Sequence, residues 1–350
     1  MLIPGKAKAL ASPLPDFVPA QVVLDANESF CPMPAWMAAE IAAALADTPL
    51  NRYPDPLASR VCEKAAAYYG VSPEYMTAGC GSDELISVII ASLIPQTGRV
   101  LLSEPDFGTF RFCAEMRELV CAARARQNGL PDLEALKREA REGDCVIFSN
   151  PCNPTGQGIS REETLDLIRS VPCLAVVDEA YMDFWDQSVA REVESLDNLI
   201  VLRTASKNVG LAAIRLGFAL AGAELTACLR AAKLPYNVAA LTQRAGEVVY
   251  SYPDWLRESA ARMRASARAL YAALTPLAAG RAGYRLTDTL ANFVLLHAPD
   301  GKALYESLLA RGIRVRILGE GSENPPYLRI TGGSEEENET LINAMKELIV

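Results

Sequence analysis

The sequence has a single histidine, no closely paired cysteines and no apolar run long enough to cross a membrane, and each shortage removes a class of function. His297 alone leaves little material for a histidine-based triad or metal centre. It sits at the end of a strand candidate, where a structural or surface role is expected. The nine cysteines are odd in number and run from Cys31 to Cys228 without a CxxC spacing, so neither a disulfide framework nor a zinc site is expected. Reduced thiols and a cytoplasmic location are expected instead. There is no GxGxxG after a strand, no P-loop and no HExxH. The longest apolar stretch, Leu85 to Ile94, has only helix-core length, and Met1-Leu-Ile-Pro-Gly-Lys6 lacks the basic-then-apolar pattern of a leader. Basic residues number 34 against 43 acidic, a net charge of −9, which disfavours general nucleic-acid binding. Any anionic ligand must be held by a local positive site working against the overall field.

Half of the 350 residues are hydrophobic, enough for a large core, and the length suggests about two domains. From Val71 onward, apolar strand-like runs alternate with amphipathic helices. The runs start at Val100, Leu119, Cys145, Leu174, Leu199 and Gly217, and are continuous, as in strands buried on both faces. Helices are expected over Pro131 to Arg141, capped by Asp132, and over Arg161 to Arg169 behind Ser160. This order implies an α/β fold with a mostly parallel central sheet. Near residue 245 the rhythm changes. A long helix from Pro253 to Leu274 carries Arg257, Arg262, Arg264 and Arg268 on what reads as a solvated face. Strand candidates at Ala291, Ile313 and Tyr327, a helix from Lys302 to Arg311 and a closing helix opened by Ser334 then suggest a smaller α+β domain. The expected division is 1–45 for an N-terminal arm and part of the small domain, 46–245 for the large domain and 246–350 for the small one.

With histidine excluded, the chemistry has to come from other groups. Lys207 follows a buried strand in Arg203-Thr-Ala-Ser-Lys207; desolvation and a neighbouring cation lower a lysine pKa and free its amine for Schiff-base chemistry. Ser206 and Arg215 suit a phosphate. Asp178 ends another buried strand, where ligands of open α/β sheets bind, although an aspartate there also serves as a helix cap. Asn150-Pro-Cys-Asn153-Pro-Thr-Gly156 is a stiff turn that fixes the Asn153 amide. Gly79-Cys-Gly81-Ser82-Asp83 precedes a helix whose free N–H groups can face an anion or, equally, form an ordinary capped start.

In this order the elements resemble the fold-type I pyridoxal-5′-phosphate aminotransferases, and within them the histidinol-phosphate aminotransferase subgroup. The supporting stretches are Asp25-Ala-Asn-Glu28, Asn51-Arg-Tyr-Pro-Asp55, Asn153-Pro-Thr-Gly156, Asp178-Glu-Ala-Tyr181, Ser206-Lys207 and Tyr327-Leu-Arg-Ile-Thr331, so the likeness runs from about residue 22 to the end. Asn-Glu-Ser-Phe30 differs from that subgroup's commoner Asn-Glu-Asn-Pro.

The resemblance implies that Lys207 carries pyridoxal 5′-phosphate and moves protons, and that Asp178 keeps the pyridine nitrogen protonated. Asn153 and Tyr181 would bond the ring oxygen, and Phe107 would stack on the ring. Gly81, Ser82, Asp83, Thr204, Ser206 and Arg215 would hold the phosphate. Tyr53 would reach the phosphate of a neighbouring subunit in a homodimer with shared sites. Arg316 and Arg329 would take the substrate's anionic group, a phosphate ester in the donor and a carboxylate in glutamate. The arm with Asn27 and Glu28 would cover the site without a chemical role. The expected reaction is transfer of the amino group of L-histidinol phosphate to 2-oxoglutarate, with neither nucleic acid nor membrane as partner. The alternatives are an aromatic or other amino-acid donor, threonine-phosphate decarboxylation, and a non-catalytic protein that binds the same cofactor.

Overall fold

The computed structural model describes residues 18–319 and 326–349. Residues 1–17 of the expected N-terminal arm therefore lie outside the described residues. Two sheets organise the chain. The strands in order are β1 (Val22–Leu24), β2 (Met76–Gly79), β3 (Arg99–Glu104), β4 (Val120–Ala125), β5 (Cys145–Ser149), β6 (Leu174–Asp178), β7 (Leu199–Thr204), β8 (Gly217–Ala221), β9 (Arg285–Thr287), β10 (Phe293–His297), β11 (Ile313–Leu318) and β12 (Tyr327–Thr331).

The larger sheet has the order β2-β8-β7-β6-β5-β3-β4. Every pairing from β7 through β4 is parallel, and only β8 runs against its neighbours. The continuous apolar runs have a direct cause here. In β6, Ala175 and Val177 face one core cluster while Val176 faces another, and β5 and β7 divide their side chains in the same way. These central strands are buried on both faces, so alternation disappears from their sequence, whereas β4, at the sheet edge, is largely exposed, against the burial expected for the run at Leu119.

The smaller sheet has the order β1-β11-β12-β10-β9 and its own apolar core. Its edge strand β1 pairs in parallel with β11, bringing the segment after Leu24 beside β12. β1, β2 and β9, of three or four residues each, were not among the strand candidates. The helix Ala35–Ala46 lies in the stretch expected to accompany the small domain, yet it buries Met37 in the core of the large sheet. The long helix extends to Ala279 and includes Pro276. A fourth cluster joins Tyr181 and Phe184 to Met263 and Phe293, sealing the junction of the two sheets.

The two helix starts expected from serine are capping boxes: Ser160 accepts from the Glu163 N–H, Ser334 from that of Glu337, and each glutamate reaches back to its cap. His297 packs edge-on against Tyr327 in the small sheet, with its ring Nδ1 3.3 Å from the Gly283 carbonyl. All nine cysteines are free. Among the described residues no helix is long and apolar enough to cross a membrane, and no acidic, histidine or cysteine cluster is arranged for a metal.

Candidate active site

Parallel pairing places Ser149 opposite Asp178 and Asp178 opposite Leu202, so β5, β6 and β7 end together. The loops leaving these ends carry Asn153, Tyr181 and Lys207 into one cavity of about 660 Å³. The same cavity is lined by Ser82, Asp83, Phe107, Thr204, Ser206, Arg215, Arg316 and Arg329. Residues as far apart as Asp25 and Arg329, 304 positions, thus meet in one site. Gly81 and Tyr53 are the two expected site residues that do not line it.

At one end is a cup of phosphate-binding character. The helix Gly81–Ser92 begins here, and its first N–H groups have no intrahelical partners. Arg215 reaches Ser206 Oγ from Nη1 at 3.3 Å and Asp83 Oδ2 from Nη2 at 2.9 Å. Its backbone is left-handed, with φ 53°. Gly81 has φ +80°, and a Cβ there would lie 2.8 Å from Arg215 Nη2, so glycine lets the guanidinium approach the helix start.

Asp178 is buried beside this cup and accepts one hydrogen bond, from the Ala180 N–H at 3.0 Å. Among the described residues no cation pairs with it. Burial pushes its carboxyl up to about 7; the Ala180 N–H opposes this, and the nearby Asp106, Asp83 and Glu179 add to it. A buried carboxylate without a partner at a cavity wall suits a ligand that brings a positive N–H. Arg203, at the start of the stretch that ends in Lys207, is committed away from the lysine. It lies 3.3 Å from Glu179 and 3.2 Å from Asp183, with its guanidinium 4.4 Å from the Tyr69 ring centroid. Lys207 Nζ donates to the Ala26 carbonyl at 2.8 Å.

The side of the cavity formed by the small sheet is cationic. Arg316 and Arg329 face each other across β11 and β12. Arg329 donates to Asn153 Oδ1 at 2.6 Å and to the Asp25 carbonyl at 2.7 Å, while its buried Nε has no partner. Burial lowers its pKa, as does the positive charge of Arg316, against Tyr181 and Asp25. Among the described residues no carboxylate pairs with Arg316, which leaves it open to an anion.

Three supports were not read from the sequence. Asp106 accepts from the Phe107 N–H at 2.7 Å and from Arg126 at 2.5 Å, and Ser149 Oγ also donates to it, which holds the Phe107 loop against the end of β5. The acid directly before Phe107 was the available signal. The Glu179–Arg203–Asp183 cluster is the second; Glu179 and Arg203 lie within Asp178-Glu-Ala-Tyr181 and Arg203-Thr-Ala-Ser-Lys207, and Asp183 follows two residues after Tyr181. The third is Asp25-Ala26-Asn27, whose members touch Arg329, Lys207 and Tyr181 respectively.

The donor set fits pyridoxal 5′-phosphate. The cup with Ser82, Thr204, Ser206 and Arg215 suits its phosphate, Asp178 a protonated ring nitrogen, Tyr181 and Asn153 the ring oxygen, and Lys207 its aldehyde carbon. A family model described as aminotransferase class I and II matches residues 20–345. The chain belongs to this family. Among relatives of these aminotransferases, the histidinol-phosphate aminotransferase of Clostridium kluyveri is 34% identical over 332 residues, covering 94% of this chain and 93% of that one. The enzyme of the same name from Chromobacterium violaceum is 36% identical over 334 residues, with 94% and 92% covered. The fold matches the crystal structure of histidinol-phosphate aminotransferase from Sinorhizobium meliloti in complex with pyridoxal-5′-phosphate. The TM-score is 0.83 at 23% identity, over 95% of this chain and 91% of that one. The architecture is accordingly that of fold-type I aminotransferases, a mostly parallel large sheet with a smaller α+β domain.

Proposed function

We propose that this aminotransferase uses pyridoxal 5′-phosphate to pass the amino group of L-histidinol phosphate to 2-oxoglutarate, giving imidazole acetol phosphate and L-glutamate. One observation carries the reading: a single cavity is lined both by Asp178 and Lys207 and by the Arg316–Arg329 pair. Similarity over nearly the whole chain to enzymes named for this donor supports the choice of substrate. When bound, the cofactor supplies an electron sink for breaking the Cα–H bond of an amino donor.

The protein's own groups do the rest. Asp178 holds a proton at the ring nitrogen, a pairing that relieves its buried charge. The Lys207 amine accepts and returns the proton at substrate Cα. Phe107 would pack on the cofactor ring, and Tyr181 and Asn153, which line the same cavity, would hydrogen-bond its ring oxygen. Arg316 and Arg329 hold the donor's phosphate ester and then a carboxylate of 2-oxoglutarate or glutamate, since two guanidiniums match either planar or tetrahedral oxyanions.

The active unit we propose is a homodimer. Leu50, Tyr53 and Leu234 are 77%, 81% and 75% exposed, with Leu57, Tyr236 and Leu241 also exposed. Tyr53 stacks on Tyr236 at 4.6 Å, so these form one apolar surface of two touching segments. In such a dimer Tyr53 would serve the partner's phosphate cup, the role that the family resemblance implies for it.

The test is donor specificity. The loaded protein is expected to use L-histidinol phosphate at least about tenfold more efficiently than L-histidinol, the margin of one charge-assisted contact. Lys207→Ala is expected to abolish transfer. Equal use of the two donors removes the substrate reading. CO₂ release from threonine phosphate assigns the site to decarboxylation instead.

A further inference from the structure

Asn27 was expected only to cover the site. It is fully buried, with φ 54°, and each of its polar groups has a partner. Its N–H donates to Thr331 Oγ1 at 3.0 Å and its carbonyl accepts from Asn292 Nδ2 at 3.1 Å. Its Oδ1 accepts from Thr331 Oγ1 at 3.2 Å, and its Nδ2 donates to Tyr181 Oη at 2.8 Å.

These bonds fix a direction. The Thr331 hydroxyl, buried and already accepting from the Asn27 N–H, sends its single proton to Asn27 Oδ1. Turning the amide over would leave that proton without an acceptor, at the cost of an unsatisfied buried donor. The NH₂ group therefore faces Tyr181 and occupies a lone pair of its hydroxyl oxygen, so the tyrosine proton must leave in another direction. The Tyr181 ring packs edge-on against Phe293 at 5.2 Å. The basic side chains facing it are Lys207, with Nζ 5.9 Å from the ring centroid and donating to the Ala26 carbonyl, and Arg329, whose guanidinium offers no acceptor. The remaining direction is the cavity that Tyr181 lines.

We propose that Asn27 is a positioning residue that sets Tyr181 as a hydrogen-bond donor into the cavity. Its bond to Thr331, two residues beyond Arg329 on β12, ties that polarity to the anion-binding side. The functional consequence rests on the cofactor reading above, because the acceptor for the tyrosine proton is the ring oxygen of pyridoxal 5′-phosphate.

Asn27→Asp tests the polarity, because a carboxylate can only accept and draws the Tyr181 proton toward itself. In cofactor-free protein, the Tyr181 Raman Fermi doublet, taken as parent minus Tyr181→Phe, is expected to move to the strong-donor pattern in the Asn27→Asp background. An unchanged doublet overturns the proposal. In loaded protein, the pH midpoint of the visible cofactor band is expected to rise by about one unit in Asn27→Asp, the scale of one hydrogen bond to a charged group. Tyr181→Phe should give a similar rise, and the double variant no further rise. A full added rise in the double variant means that the new charge acts by itself, and overturns the proposal. Should Asn27→Asp fail to fold, Thr331→Val releases the amide orientation, and a smaller Raman shift in the same direction is expected; its absence overturns the proposal. A parent protein that takes up no pyridoxal phosphate refutes the cofactor reading alone, and the Raman comparison still decides the polarity.

Discussion

At the scale of residues, Asp178 is the group whose burial only a ligand can compensate. Its carboxyl is raised from 3.8 to about 7 in the fold, so the folded state binds more protons than the unfolded chain between those values. Its contribution to stability is therefore lost as pH rises through that window, and the ionised form costs roughly 4 kcal/mol above it. Cofactor-free Asp178→Asn is expected to be more stable than the parent in urea unfolding at about pH 8, with the gap closing toward about pH 4. A parent of equal or greater stability at the higher pH contradicts this. On the small-sheet side of the cavity, Arg329→Lys keeps the charge but loses the planar fork. It is expected to raise KM for donor and oxo acid by about tenfold with less effect on kcat, measurable by steady-state kinetics. Both residues were legible, because Asp178 closes a buried strand and Arg329 lies inside the short motif Tyr327-Leu-Arg-Ile-Thr331. Asn27 was not. Its partners Tyr181, Asn292 and Thr331 are 154, 265 and 304 residues away, and no local pattern encodes such a bond.

Elements were legible where local chemistry decides them. Ser160 and Ser334 mark helix starts because a serine oxygen satisfies an N–H that the helix leaves open. Ser334→Ala is expected to cost about 1 kcal/mol in chemical unfolding without altering cofactor affinity, since the helix Glu335–Leu348 packs on the small core away from the cavity. The helix Gly81–Ser92 shows the reverse case, where the element's start serves the site. Gly81→Ala is expected to displace Arg215 and weaken binding of pyridoxal 5′-phosphate by about tenfold while leaving pyridoxal unaffected, as read by equilibrium titration. Equal loss for both ligands contradicts a phosphate role for the cup. The short strands β1, β2 and β9 escaped reading because three or four residues carry no usable periodicity. Their existence depends on partners supplied from elsewhere in the chain.

For the whole molecule, the α/β alternation and the change of rhythm near residue 245 suffice to expect two sheets, but they do not say how the N-terminal segment is shared. β1 joins the small sheet, while the helix Ala35–Ala46 packs on the large one, so one short stretch crosses between the sheets and carries Asp25, Ala26 and Asn27 over the site. A boundary set by helix and strand rhythm cannot register that crossing. The exposed apolar surface around Tyr53 belongs to this scale as well. Leu234→Asp is expected to shift sedimentation from dimer to monomer and to lower activity, because the proposed site needs the partner's tyrosine. Transfer from this donor is read directly in the absorbance of the cofactor-loaded protein on adding L-histidinol phosphate without any oxo acid. Transamination predicts stoichiometric conversion of the visible band to that of the amino form of the cofactor, with one equivalent of imidazole acetol phosphate released. A band that does not change contradicts it.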